Sequence, residues 1–116
     1  MPNSGQTALV DFVNIQGGLY CHTSWLPYQR GQSKYSTMSE LIILSRSTGT
    51  TGSLTYSVAS GQSSHAVLNG VPSSFTINTG ADRGYAVSYS SNPVTVLMKE
   101  GSYDAVMIRS YGNGKI

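Results

Sequence analysis

The chain has 116 residues, only 10% of them charged, and a formal net charge of +2. That length suits one domain that buries roughly two-thirds of its unfolded surface, so no disulfide or metal staple is required for folding. The seven basic residues are scattered with no run among them, so the charge pattern gives no nucleic-acid footprint.

Cys21 is the single cysteine, which rules out an intrachain disulfide and a zinc site built mainly from thiolates. Low net charge combined with frequent apolar segments argues against disorder. No apolar run approaches the ~20 residues a membrane helix needs, so no membrane insertion is expected. The start, Met1 to Gln6, lacks a basic segment and an apolar core, so no cleavable secretory signal is expected.

In chain order, Thr7 to Ile15 (TALVDFVNI) reads as a first strand, with Val10 and Phe12 on one face and Leu9, Val13 and Ile15 on the other. Gln16-Gly17-Gly18 reads as a turn, and Leu19 to Trp25 as a second strand ended by Pro27. Gln29 to Met38 is polar without alternation and reads as a long loop. Ser39 to Arg46 holds the run Leu41-Ile42-Ile43-Leu44. A strand is favoured there over a two-turn helix, because the run is short and flanked by Ser and Thr. Ser47 to Gly52 reads as a hairpin loop. Ser53 to Ala59 alternates with Leu54, Tyr56 and Val58 inward. His65 to Asn69 reads as a short strand followed by an Asn-Gly hairpin signal. Ser74 to Asn78 is a further strand. Three strands then form a meander: Tyr85 to Ser90, Val94 to Met98, and Tyr103 to Ile108. Ser91-Asn92-Pro93 and Lys99-Glu100-Gly101-Ser102 are the turns between them.

Eight or nine short strands at roughly 8–12-residue spacing, with no convincing helix, predict an all-β fold. The expected architecture is a single antiparallel sandwich domain over residues 1–116, jelly-roll-like, with an immunoglobulin-like sandwich as the alternative.

The catalytic inventory is thin. His22 and His65 have no carboxylate at ligand spacing, so no metal site is expected. Cys21 and His22 are neighbours on a strand and point to opposite faces, which separates a thiol from its base. Glu100 and Asp104 straddle one turn, and the ordinary reading of the two is as turn charges. No phosphate loop, nucleophile elbow or H-E-x-x-H motif occurs, so neither an enzyme nor a cofactor is expected. The aromatic residues carry more information. Tyr20, Trp25, Tyr28 and Tyr35 fall close together with His22, Gln29, Arg30 and Gln32. Flat rings with polar edges suit sugars and protein anchors, so Tyr20, His22, Trp25, Tyr28, Gln29, Arg30 and Tyr35 form the expected ligand-binding set. A core role for Trp25 is the competing reading.

With its Ser/Thr/Gly/Tyr surface and short strands, the chain resembles the small all-β tip domains of phage tail fibres, related trimeric knobs and jelly-roll lectins. The end, Glu100 to Val106, also faintly resembles the calcium-binding strand of small bacterial fucose-binding lectins. It keeps only Glu100 and Asp104 of that family's crowded acids, so no calcium site is expected. The first resemblance implies a non-enzymatic module that binds a glycan or cell-surface receptor. It also implies a homo-oligomer, a trimer by preference, on a virion or an extracellular surface. The alternative is a structural virion subunit, a capsid decoration or tail component, without a small-molecule ligand. Apolar groups on both faces of Thr7–Ile15 and of Val94–Lys99 also point to association between copies.

Overall fold

The computed structural model describes residues 1–19, 33–46, 50–83, 86–89 and 93–116. Its first element overturns the expected first strand. Asn3–Ile15 is an α-helix of 13 residues (α1), so the described residues are β-rich with one α-helix and not all-β. The apolar pattern explains the correction. Gln6 and Val13 are buried, and Leu9 and Val10 pack partly buried against the same cluster as Val13. These positions follow the 3.6-residue period of one helix face. Phe12 and Ile15, at 57% and 67% exposed, lie off that stripe. A run with apolar groups at 9, 10, 12, 13 and 15 satisfies both periods, and the short window does not separate them. Gln16-Gly17-Gly18 is the helix stop. The Gly17 N–H returns to the Phe12 carbonyl at 2.9 Å, and a Cβ on Gly17 would meet the Phe12 ring at 2.4 Å.

The segment Ser36–Leu41 is a 3₁₀ turn, kinked at Met38, that buries Met38 and Leu41. It replaces the end of the expected loop and the start of the expected Ser39–Arg46 strand. Leu41, Ile42, Ile43 and Leu44 are all buried, because the chain threads the core here before emerging as β1 (Leu44–Arg46). A run buried on every side has no alternation to read.

The remaining strands are β2 (Thr50–Val58), β3 (Ser74–Arg83), β4 (Ala86–Tyr89), β5 (Thr95–Glu100) and β6 (Tyr103–Ile108). Two more close the chain, β7 (Ser110–Tyr111) and β8 (Gly114–Lys115). The main sheet is antiparallel with order β3-β2-β5-β6, and β1-β4 and β7-β8 form two-stranded sheets. The expected three-strand meander is thus only a hairpin, β5–β6, turned at Gly101 with φ +57°. β4 does not pair with β5, because β5 already has β2 on one side and β6 on the other. β4 pairs with β1 instead.

His65 to Asn69 is not a strand either. Ala66–Leu68 is a 3₁₀ turn, capped by the His65 side chain. Asn69 (φ −61°, ψ 123°) and Gly70 (φ +80°) form a type II turn closed by Val71 N–H to Leu68 O at 2.9 Å. That turn sits within a loop, where the sequence predicts a hairpin.

The main sheet has unlike faces. Leu54, Tyr56 and Val58 point one way, with Phe75 stacked on Tyr56 at 5.4 Å between centroids. The other face of β2 and β3 carries hydroxyls, with Thr55 and Thr76 bonded at 2.8 Å and Ser57 to Ser74 at 3.3 Å. Burial falls into two groups. Val13, Met38, Leu41, Ile42, Ile43 and Ile116 join α1 to the C-terminus, and Leu68 clusters with Leu97 and Met98 of the main sheet.

Candidate functional site

The C-terminal hairpin builds the site. Its loop, Gly112-Asn113, is one residue pair long, because Tyr111 pairs with Gly114. Gly112 has φ +55° while Asn113 stays at negative φ, the pattern of a type II′ turn. The hairpin lies directly on the end of α1. Asn113 N–H donates to the Asn14 carbonyl at 2.9 Å and Lys115 N–H to the Gly17 carbonyl at 3.2 Å, and Lys115 O accepts from Leu19 N–H at 3.0 Å. One of the carbonyls that a helix C-terminus leaves open, that of Asn14, is thus satisfied by the hairpin. Backbone meets backbone so closely that a Cβ on Gly114 would lie 2.0 Å from the Val13 carbonyl oxygen.

On its other side the hairpin borders a cleft of about 580 Å³, within the usual range for small-ligand sites. Pro93, Val94 and Thr95 supply one side, where the chain enters β5. Ile108 to Gly112 supply another, with Lys115 and the capping residue His65 at the margin. Among the described residues none of the lining groups is acidic.

Arg109 is the buried member, 3% exposed. Its guanidinium donates to the Glu40 carbonyl and sits 3.5 Å from the Glu40 carboxylate. Its Cζ lies 5.7 Å from the centre of the Tyr111 ring, within cation–π range. Lys115 Nζ donates to Ser110 Oγ at 2.7 Å. His65 Nδ1 accepts the Val67 N–H at 3.3 Å, so in the neutral ring the proton sits on Nε2, which is a donor. The cleft thus combines an aromatic ring, hydroxyls and cationic donors over an apolar floor of Val94 and Ile108. Such a set offers hydrogen bonds, charge and a stacking face.

Of the residues expected to bind ligand, Tyr20, His22, Trp25, Tyr28, Gln29 and Arg30 lie outside the described residues, as does Cys21. Tyr35 is described. It takes the left-handed conformation at φ 56°, and its half-buried side chain packs against the Val13–Met38–Leu41 cluster. Glu100 and Asp104 do not form a paired-acid site. Glu100 is opposite Tyr103 and Asp104 opposite Lys99 in the β5–β6 ladder, which puts the two acids on opposite faces. Asp104 is bound to Lys99 at 3.0 Å. Among the described residues no three of His, Cys, Asp and Glu gather as metal ligands.

Reading the sequence missed Ser110, Tyr111 and Lys115, whose strands are two residues each and too short to show alternation. The available signal was Gly112-Asn113 between Tyr111 and Gly114, a short-hairpin pattern at the chain's end. Comparison with family models, with curated proteins and with solved structures returns no match to this chain.

Proposed function

We propose that the chain is a surface-recognition module that binds a glycan or a cell-surface receptor in the cleft beside the C-terminal hairpin. The supporting observation is the cleft's lining. The Tyr111 ring offers a flat apolar face, Ser110 and Thr95 offer hydroxyls, and Lys115 and His65 offer donors. Sugars are recognised by that mixture of stacking and hydrogen bonding. In this reading the β-rich chain is an antiparallel sandwich, jelly-roll-like or immunoglobulin-like. It works as a homo-oligomer, a trimer by preference, on a virion or extracellular surface, as a fibre tip or lectin does.

The test is a glycan array probed with the wild type and with Thr95→Trp, which places an indole in the cleft from an exposed position. Saturable binding by the wild type, reduced at least tenfold by Thr95→Trp at unchanged melting temperature, is the expected result. Saturable binding that Thr95→Trp leaves intact would place the ligand elsewhere.

A second reading, a structural virion subunit, is favoured by a different observation. β3 is an outer strand of the main sheet among the described residues, and it leaves Phe75 and Ile77 37% and 42% exposed. Such edges pair with further chains unless protected. A blank array together with self-assembly at micromolar concentration in sedimentation velocity, abolished by Ile77→Lys, would favour this reading over the first.

A further inference from the structure

We infer that the cleft takes an acidic ligand, a sugar bearing one carboxylate or sulfate group, and that Lys115 Nζ receives the anion. The inference rests on the recognition reading above and narrows its ligand.

Three observations carry it. First, the described lining holds Lys115, His65 and Arg109 and no carboxylate, in a chain with only seven basic residues. Second, the cations differ in what they have left to offer. Arg109 is engaged with Glu40, whose carboxylate offsets its charge. Lys115 donates to Ser110, a neutral hydroxyl, so its charge is not cancelled there. An ammonium has three donors, and Ser110 takes one. Third, the backbone at Lys115 is held in place before any ligand arrives. Its N–H and its carbonyl are both bonded, to Gly17 and from Leu19. Only the side-chain torsions of Lys115 are then left to order on binding, whereas a residue on a free loop must order its backbone as well.

The chemistry also limits the anion. Lys is a point charge and lacks the planar, two-pronged fork by which a free Arg grips an anion. One ammonium, with a His65 donor elsewhere in the same lining, matches a single negative charge. The Tyr111 ring and the hydroxyls of Thr95 and Ser110 are left for the rest of the sugar.

The experiment uses an array that pairs neutral glycans with their sialylated, uronate-bearing and sulfated derivatives, probed with the wild type, Lys115→Met and Ser110→Ala. Lys115→Met keeps the apolar stem and removes the charge. The expected result is binding to acidic members at least tenfold stronger than to their neutral parents. Lys115→Met should erase that preference, and Ser110→Ala should reduce it. Carboxylate and sulfate sources are distinguished by which derivatives bind. Equal binding of neutral and acidic members would overturn the inference and leave the recognition reading standing, as would an acid preference that survives in Lys115→Met. A blank array would overturn the recognition reading. In that case inorganic sulfate is titrated while the Lys115 amide resonance is followed. A saturable shift lost in Lys115→Met upholds the anion site, and no shift overturns it.

Discussion

A guanidinium taken out of water costs several kcal/mol, and an ion pair offsets that cost only with good geometry and further hydrogen bonds. Arg109 meets those terms halfway. It is 3% exposed, but its partner Glu40 keeps a side chain 42% exposed, at 3.5 Å. The desolvation cost and the attraction then nearly cancel, and the net contribution of Arg109 comes from the buried volume its side chain fills. Arg109→Met should therefore stay within about 1.5 kcal/mol of wild type, whereas Arg109→Ala, which leaves a cavity, should cost about 3 kcal/mol. Urea unfolding of the two variants checks this. Equal losses would assign the role to the charge. Nothing in the local sequence marks Arg109 as buried. It follows Ile108 at the end of a strand and reads as one more scattered surface charge, because its burial depends on Glu40, 69 positions away. Tyr35 shows the same limit. Its place beside a polar loop suggests a ligand contact, while in the fold its ring lies on the core.

Among the elements, strands bounded by good turn chemistry were legible and elements defined by long-range packing were not. β2 follows the alternation of Leu54, Tyr56 and Val58, and the β5–β6 hairpin follows Gly101-Ser102. α1 was misread, because Leu9-Val10 and Phe12-Val13 supply apolar groups to either period. What makes that segment helical is tertiary: one stripe finds Met38, Leu41 and Ile116, and the Asn14 carbonyl finds the hairpin. The joint between α1 and β8 should accordingly be sensitive to a single methyl. A Cβ at Gly114 would lie 2.0 Å from the Val13 oxygen, while one at Gly18 meets nothing within 4 Å. Gly114→Ala is expected to destabilise by about 3 kcal/mol, the upper end for overpacking, and Gly18→Ala by less than about 1 kcal/mol. Thermal melts of the pair decide it. A Gly114→Ala variant that melts with Gly18→Ala would mean that the hairpin does not seat on the helix.

At the scale of the whole molecule, the β-rich class was visible in short segments at even spacing, and the pairing order was not. Nothing in Val94–Met98 announces that β2 will occupy one side of it, so β4 was assigned to the wrong neighbour. The cleft lies where three such non-local events meet: the return of β5, the capping turn at His65, and the C-terminal hairpin folded onto α1. Its polar groups come from three separate stretches of chain, His65, Thr95 and the run from Arg109 to Lys115, so no local motif spells it out. The sequence places recognition instead in the Tyr20–Tyr35 stretch, where the aromatics are dense. The two locations give opposite answers in one measurement. Amide resonances are followed while a glycan that binds on the array is titrated into the wild-type protein. Saturable shifts concentrated at His65, Thr95, Ser110 to Gly112 and Lys115 are the result expected here. Shifts confined to Tyr20 through Arg30, with the C-terminal hairpin unmoved, would contradict it.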